Sequence, residues 1–177
     1  MWWSPDVMQR RAASTRVFIA TAAALLAGCG FELRQAQPLT FRSIALVGFA
    51  ADSPLRVVLE RDLRSAGITL VEQPARADVV FDTLVDVRNR TVEASTAAGQ
   101  VREIQLRVRL RFRAATPSGR LLLPAADLLL TRDLSYNETD ALAKQQEEAL
   151  LYRAMDEDIV AQVLRRLSAI RLATPTS

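Results

Sequence analysis

Residues 104–113 read IQLRVRLRFR and show the clearest alternation of apolar and polar residues in the chain. Apolar residues hold the even positions from Ile104 to Phe112, and polar residues hold the odd ones. Successive side chains of a β-strand point to opposite faces, so this period predicts a strand with one buried and one wet face. The wet face would carry a row of arginines, hereafter the arginine row: Arg107, Arg109, Arg111 and Arg113.

Long strands are predicted on both sides of this stretch. Residues 79–92 form a second strand, joined to the first as a hairpin by a turn at residues 96–100. Residues 121–123 and 126–135 predict a third strand with a break or bulge at Pro124, which has no backbone N–H for the ladder.

The second strand also divides into two faces, with Leu84 out of pattern. Its apolar face is expected to hold Val79, Phe81, Thr83, Val85 and Val87. Its charged face is expected to hold Asp82, Asp86, Arg88 and Arg90.

A first helix is predicted from its capping residues. Ser53 is a typical N-cap, Pro54 suits the first helical position and Gly67 suits the C-terminal cap. Short strands are predicted before and after this helix, at residues 43–48 and 68–71.

A long helix is predicted near the C-terminal end, capped by Asn137. Glu138 and Asp140 would lie in its first turn, where negative charge suits the helix dipole. Its apolar stripe consists of Leu151, Met155, Ile159, Val163, Leu167 and Ile170. The acidic residues Glu147, Glu148 and 156–158 are expected on a solvated face of the helix.

These elements together predict an α+β fold. Each element has one apolar face, and a two-layer sandwich buries all of these faces at once. We therefore expect two helices packed on one face of a mixed sheet of at least four strands.

The beginning of the chain has the pattern of a lipoprotein signal. Basic residues precede an apolar run at residues 17–26, which is too short to span a membrane. Leu26-Ala27-Gly28-Cys29 then forms a lipobox, and Cys29 is the only cysteine of the chain. Gly30 follows instead of the Asp that retains bacterial lipoproteins in the inner membrane, which favours the outer membrane.

The lipobox sets the expected domain boundaries. Residues 1–28 are a signal peptide that is removed, and residues 29–173 form a single domain with lipid attached to Cys29. Residues 174–177 are expected to be a short disordered tail.

Composition excludes several classes of function. The chain contains no histidine and its one cysteine lies in the lipobox, so Ser-His-Asp and Cys-His catalysis and His- or thiolate-built metal sites are excluded. We therefore assign no catalytic residue, metal or cofactor. Residues 29–177 contain 20 basic and 19 acidic residues, a balance that does not indicate nucleic-acid binding.

Four short motifs resemble the lipopolysaccharide-assembly lipoproteins of the LptE family. Residues 29–34 (CGFELR) are similar to the start of the mature family members. The predicted hairpin is followed by residues 132–136 (RDLSY) and 141–144 (ALAK), and the long helix ends with residues 165–170 (RRLSAI). Each motif is short, and the resemblance rests on their order and spacing over the mature chain.

The resemblance implies a two-layer α/β fold and a function without catalysis. Members of this family plug a large outer-membrane β-barrel that inserts lipopolysaccharide, help that barrel to assemble, and bind lipopolysaccharide themselves. It thus implies a barrel partner near one-to-one, lipopolysaccharide as a ligand, and a lipid anchor on the periplasmic side of the outer membrane.

The arginine row and Lys144 are the candidate contact residues. Guanidinium groups bind phosphate bidentately, so the row could contact lipopolysaccharide, or it could face acidic groups on the barrel wall. It could instead be a solvated face paired across strands with Asp82, Asp86 or Asp127. Lys144, the only lysine, matches the family motif, although it could also be an ordinary exposed helix residue. Tyr136 and Tyr152 are expected to be packing residues.

Two other classes of function stay open at this point. The chain could be a scaffold lipoprotein of another outer-membrane or envelope-assembly machine, which would co-purify with a different set of partners. A periplasmic hydrolase based on a carboxylate pair is formally possible, but the pattern places the acidic residues on a helix surface.

The lipobox yields a first testable prediction. Cys29→Ala should leave a folded domain and remove the membrane tether, because the thiol that accepts the lipid is lost. Fractionation of cells that express the variant should move the protein from the membrane to the soluble fraction. Unchanged membrane association in cells that lack the barrel partner would contradict the lipobox.

Overall fold

The three long strands lie side by side in a five-stranded sheet. The computed structural model describes residues 38–95, 101–136 and 138–172. The strands are β1 (Ser43–Val47), β2 (Thr69–Leu70), β3 (Val79–Ser95), β4 (Val101–Ala115) and β5 (Leu121–Ser135). Their order in the sheet is β2-β1-β3-β4-β5. Strand β1 is parallel to β2 and β3, whereas β4 is antiparallel to both β3 and β5.

Two α-helices occur within the described residues, α1 (Pro54–Ser65) and α2 (Ala141–Leu167). The mixed sheet and the two helices confirm the predicted α+β fold. None of the described helices is both long and apolar enough to cross a membrane.

The alternation of β4 determines which face of the sheet is buried. We call the face that packs on the helices the inner face and the opposite one the outer face. Ile104, Leu106, Val108, Leu110 and Phe112 lie on the inner face, each no more than 1% exposed. Burial of one such side chain stabilises a fold by about 1.5–3 kcal/mol, so this strand is a major part of the core.

The α2 stripe supplies the opposite wall of this core. Met155, Ile159, Val163 and Leu167 have no exposed surface, and Leu151 is partly buried against the core. The predicted stripe is therefore confirmed up to Leu167. Ile170 is also buried, at 3% exposure, but it follows the end of the helix. Tyr136 and Tyr152 are partly buried against the same core, as expected of packing residues.

The ends of the helices agree with the sequence in one case and differ in the other. Ser53 Oγ accepts a hydrogen bond from the Arg56 N–H at 3.2 Å, and Gly67, at φ +78°, ends α1 as predicted. Helix α2 begins only at Ala141, so the expectation that Glu138 and Asp140 lie in its first turn is wrong. These two residues form a preceding 3₁₀ turn, Glu138–Asp140, a common way to tighten a helix terminus.

Several predicted features fall outside the described residues: the signal peptide and lipobox at residues 1–29, the hairpin turn at residues 96–100, the cap at Asn137 and the tail at residues 174–177. The predicted irregularity at Pro124 is confirmed. The register between β4 and β5 shifts there, since Phe112 pairs with Ala126 and Ala114 pairs with Leu123. Pro124 is tolerated because β5 is an edge strand of this sheet.

Strand β3 contains one extra residue, Leu84, which reverses its two faces. Thr83 pairs with the inner-facing Phe112, whereas Val85 pairs with the outer-facing Arg111. A bulge of one residue shifts the register by one and sends every following side chain to the other face.

The bulge overturns the expected division of β3. Val85 and Val87 lie on the outer face, opposite Arg111 and Arg109, and not beside Val79 on the inner face. The charged residues after the bulge turn instead toward the helices. They are Asp86, Arg88 and Arg90, which pair with Leu110, Val108 and Leu106.

Each inward-facing charge of β3 contacts a helix. Asp86 accepts a hydrogen bond from the Ser53 hydroxyl at 2.5 Å, at the start of α1. Arg88 donates to Asp156 Oδ2 on α2. Arg90 Nε donates to Glu148 Oε2 on α2 at 3.2 Å. The polar half of β3 therefore contacts both helices, in addition to the apolar packing of the core.

Asp156 is buried, contrary to the expectation of a solvated helix face, whereas Glu157 and Asp158 are exposed as predicted. Asp156 is 2% exposed, because it follows the buried Met155 and faces Arg88 on the inner face of the sheet. Burial raises the pKa of its carboxyl group, and the nearby Arg88 charge opposes that rise. Its Oδ1 atom has no hydrogen-bond partner among the described residues.

Gly48 follows β1 and lies directly against the bulge. Its φ of +82° is in the left-handed region, and a Cβ atom there would come within 2.3 Å of the Thr83 carbonyl oxygen. Only glycine satisfies both the backbone conformation and this close approach. The bulge geometry thus depends on a residue of the neighbouring strand.

We expect Gly48→Ala to destabilise the protein far more than Gly67→Ala. Both glycines have positive φ, which costs an L-residue about 1–2 kcal/mol, but only Gly48 also faces a backbone atom. Overpacking adds about 1–3 kcal/mol, so urea denaturation should show the larger loss for Gly48→Ala. Equal losses for the two variants would contradict this packing argument.

We expect Arg88→Met to make stability strongly dependent on pH. The variant leaves Asp156 buried without its counter-charge, which costs about 3 kcal/mol at neutral pH and raises its pKa further. A carboxyl whose pKa is raised by folding stabilises the protein below its unfolded pKa, and this contribution is lost as pH rises through the folded pKa. Urea midpoints of the variant should therefore fall as the pH increases from 4 toward 8.

The double variant Arg88→Met, Asp156→Leu is the control for this prediction. It removes both charges, so most of the stability should return and the added pH dependence should disappear. If the double variant were as unstable as Arg88→Met, the loss would arise from packing of the Arg88 side chain and not from the unpaired carboxylate.

Candidate functional site

The arginine row lies on the outer face of the sheet, with neighbours on both flanking strands. Arg111 lies between Val85 and Asp127, and Arg109 lies between Val87 and Leu129. The row therefore runs along the middle of a three-stranded surface that mixes charged and aliphatic side chains.

Three of the four arginines form ion pairs on this surface. Arg109 donates to both carboxylate oxygens of Asp127, at 3.0 and 2.5 Å. Arg113 Nε and Nη2 reach Asp82 Oδ2 at 2.8 and 2.7 Å. Arg107 Nη2 lies 3.7 Å from Glu93 Oε1. All three arginines are about half exposed, so the pairs are solvated and exchangeable.

Arg111 is exposed and makes no hydrogen bond or ion pair within the described part of the chain. The hydrogen bond from Arg109 lowers the pKa of Asp127, and the Arg111 charge contributes to the same shift. Asp86, one expected partner of the row, is on the inner face, so that pairing is wrong. The cross-strand pairs with Asp82 and Asp127 are present.

The outer face also has an aliphatic component. A shallow depression of about 350 Å³ is lined by Val87, Leu129, Arg107 and Arg109 together with Asn89 and Asp127. Val87 is 42% exposed and Leu129 is 58% exposed. This face can therefore form apolar contacts between its ion pairs.

Lys144 belongs to a different part of the molecule. Its ammonium group lies 2.8 Å from Glu147 Oε2 and 3.3 Å from Ser135 Oγ, and the side chain is only 19% exposed. Within the described residues it joins the start of α2 to the end of β5 and does not contact the arginine row. The structure thus separates two sets of candidates that the sequence considered together.

A larger groove opens on the opposite side of the sheet, between β3 and α2. It has a volume of about 640 Å³. Strand β3 contributes Arg88 and Arg90, and helix α2 contributes Gln145, Glu148, Tyr152, Arg153 and Asp156. Pro54 and Tyr136 also line the groove.

The floor of this groove is fixed by contacts between its own residues. The Arg88 guanidinium lies 5.0 Å from the centre of the Tyr152 ring, a cation–π contact, and also pairs with Asp156. The Tyr152 hydroxyl donates to the Asn89 carbonyl oxygen at 3.2 Å. Burial raises the pKa of Tyr152, so the hydroxyl stays protonated as this donor.

The arginines at the rim of the groove, Arg90 and Arg153, are more exposed than Arg88. Arg90 is 44% exposed and bonds Glu148 through Nε. Arg153 is exposed and makes no hydrogen bond or ion pair within the described residues. The rim therefore offers guanidinium groups to a ligand.

Sequence reasoning missed this groove because its walls lie far apart in the chain. Arg88 and Asp156 are separated by 68 positions. One signal was available: Tyr152, Asp156 and Val160 follow each other at helical spacing beside the apolar stripe, which places an acidic residue on the buried side.

The described residues contain no group of three His, Cys, Asp or Glu side chains that could hold a metal ion. Cys29, the expected lipid attachment site, lies outside them.

Comparisons with known proteins agree on one family. The family model LptE, described as Lipopolysaccharide-assembly, matches residues 41–167. An LPS-assembly lipoprotein LptE from Yersinia enterocolitica is 24% identical over 165 residues, covering 89% of this chain and 76% of the relative. Its counterpart from Pectobacterium atrosepticum is 26% identical over 152 residues, covering 84% of this chain and 82% of the relative.

A solved structure has the same fold. The solution structure of lipoprotein B from Nitrosomonas europaea, described as uncharacterized, superposes with a TM-score of 0.66 at 28% sequence identity. The match covers 79% of this chain and 91% of that chain. The family match spans both helices and all five described strands, so this chain belongs to the LptE family of lipopolysaccharide-assembly lipoproteins.

Proposed function

We propose that this protein is a lipid-anchored plug and assembly factor of the outer-membrane β-barrel that inserts lipopolysaccharide. Acyl chains on Cys29 would hold it on the periplasmic side of the outer membrane. It would help the barrel to assemble, pair with it near one-to-one, and bind lipopolysaccharide in transit to the cell surface. It would catalyse no reaction.

The observation that carries this proposal is the family match over residues 41–167. These residues include the outer face with its arginine row and the groove between β3 and α2. Family membership supports a role in lipopolysaccharide assembly, and the surfaces suggest how the chain would perform that role.

The outer face is suited to the wall of a barrel. The interior of a large outer-membrane barrel is polar, so a plug needs a surface of hydrogen-bonding groups. Here three arginines of β4 pair with acids of the flanking strands, and these exposed pairs can be exchanged for groups of the partner at little cost. Arg111, which has no ion pair among the described residues, can bind a partner carboxylate bidentately without losing such a pair.

The proposal is tested by recovery of the barrel with tagged full-length protein. A pull-down in mild detergent from the native outer membrane should yield one large barrel protein near one-to-one. The variant with Arg107, Arg109, Arg111 and Arg113 all changed to Gln should recover much less barrel, because it lacks the guanidinium contacts. Its melting temperature should change little, since the apolar inner face is untouched.

A charge-matched variant serves as the control. Changing Arg61, Arg64, Arg165 and Arg171 to Gln removes three positive charges from the helices and one from the segment after α2, and it should leave barrel recovery intact. A loss of thermal stability with normal recovery would show that the arginine row is structural. Recovery of a different set of partners would replace this proposal with the scaffold function.

A further inference from the structure

We infer that the groove between β3 and α2 is a binding site for an anionic saccharide, such as a phosphorylated amino sugar. The inference rests on the proposed binding of lipopolysaccharide, whose phosphorylated sugar head belongs to this chemical class. It locates that binding in the groove and not on the arginine row.

The groove has the form of a small-molecule site. Its volume of about 640 Å³ lies within the range of about 300–1,000 Å³ that is usual for ligand pockets. One wall is strand β3 and the other is helix α2, so most of the lining is held in place by regular elements, and Tyr136 is added by the connection after β5.

The charges of the groove favour an anion. The acid Asp156 neutralises Arg88 at the floor, and Glu148 engages only Nε of Arg90. The terminal nitrogens of Arg90 and the whole guanidinium of Arg153 stay available, with no ion pair of Arg153 among the described residues. A phosphate group can receive bidentate hydrogen bonds from such guanidinium groups.

The remaining groups of the groove suit a sugar. Tyrosine rings offer an apolar face with a polar edge, and the groove contains two of them, Tyr136 and Tyr152. The Gln145 amide and the Glu148 carboxylate can exchange hydrogen bonds with hydroxyl groups. An inorganic anion would use the arginines alone, whereas a sugar phosphate would use all of these groups.

The floor is organised before any ligand arrives. Asp156 is buried and holds Arg88, Arg88 lies over the Tyr152 ring, and the Tyr152 hydroxyl is bound to the β3 backbone. A ligand would thus meet a surface whose side chains are already immobilised, which lowers the entropy lost on binding.

The arginine row is less suited to the same ligand. Asp127, Asp82 and Glu93 already occupy three of its four guanidinium groups. A phosphate would have to displace these carboxylates, and the ones left behind would repel it. In the row, Arg111 alone can bind without breaking an ion pair among the described residues, and its cross-strand neighbours are Val85 and Asp127. Arg153 is equally free among the described residues, but it shares the groove with Tyr136, Tyr152 and Gln145, which suit a sugar.

Equilibrium binding by the full-length protein in detergent tests the inference with two kinds of probe. Purified lipopolysaccharide is the first, and the second is a soluble set of glucosamine 1-phosphate, glucosamine and inorganic phosphate. The groove variants are Arg153→Gln alone and Arg90→Gln with Arg153→Gln. The control, Arg61→Gln with Arg165→Gln, removes two exposed charges outside the groove. Arg153→Gln breaks no contact among the described residues, so its folding should be normal.

We expect the double groove variant to bind lipopolysaccharide and glucosamine 1-phosphate at least about tenfold more weakly, since each lost charge-assisted hydrogen bond is worth about that factor. Arg153→Gln should show part of this loss, and the control should show none. Glucosamine 1-phosphate should bind the wild-type protein more tightly than either glucosamine or inorganic phosphate.

Four results would overturn the inference. Unchanged lipopolysaccharide binding by the double groove variant would exclude the groove, and its loss in the arginine-row variant alone would place the site on the outer face. Equal binding of inorganic phosphate and glucosamine 1-phosphate would exclude a saccharide site. If the wild-type protein bound neither glucosamine 1-phosphate nor lipopolysaccharide, the inference would fail together with the lipopolysaccharide part of the proposed function.

One result would separate the two proposals. A wild-type protein that binds glucosamine 1-phosphate through Arg90 and Arg153, but binds no lipopolysaccharide, would support the saccharide site and contradict the proposed ligand.

Discussion

The bulge at Leu84 is the constraint on which the surfaces of this molecule depend. Before it, β3 is an ordinary core strand, with Val79 and Phe81 fully buried against the helices. After it, the same strand turns Arg88 and Arg90 inward. Without the extra residue, these charges would join the outer face and the helices would meet aliphatic side chains. Gly48, directly after the neighbouring strand β1, leaves the space that the Thr83 carbonyl group needs in this geometry.

Both charged surfaces follow from this reversal. On the outer face, Val85 and Val87 lie next to Arg111 and Arg109, so aliphatic side chains separate the charges of this surface. The acids that pair with the row are Asp82 and Asp127, in addition to Glu93. On the inner face, Arg88 and Arg90 meet the acids of α2. Each surface is nearly neutralised internally and leaves one arginine unpaired among the described residues, Arg111 outside and Arg153 in the groove. Under the proposals made above, ligand and partner binding would therefore rest on a few free groups and not on net charge.

The sequence was sufficient for the parts of the fold that obey one period. Ten alternating residues of β4 placed the core correctly, and the four-and-three spacing of α2 placed its stripe. The capping residues Ser53 and Gly67 gave the bounds of α1. In each case the local pattern and the tertiary packing favour the same conformation, which is why a single sequence predicts them.

The sequence was not sufficient where two patterns fit equally well. In β3 the residues after Leu84 still alternate between polar and apolar, whichever face the polar ones occupy. Nothing in the local sequence therefore shows that the polar residues move to the inner face after Leu84. Asp156 lies in an acidic run that is typical of a solvated helix, and only Arg88, 68 positions away, explains its burial. The groove, which both of these errors concealed, is made of the same residues.

The Arg88–Asp156 pair is better explained by the groove than by stability. A buried ion pair costs desolvation of both groups, and well-packed apolar residues of similar size are often as stabilising or more so. This pair even leaves Asp156 Oδ1 without a donor among the described residues. An apolar pair could join α2 to β3 equally well, but it could not hold a guanidinium over Tyr152 at the floor of a groove with a positive rim. The desolvation cost of the Arg88–Asp156 pair is explained if the pair serves to hold Arg88 over Tyr152.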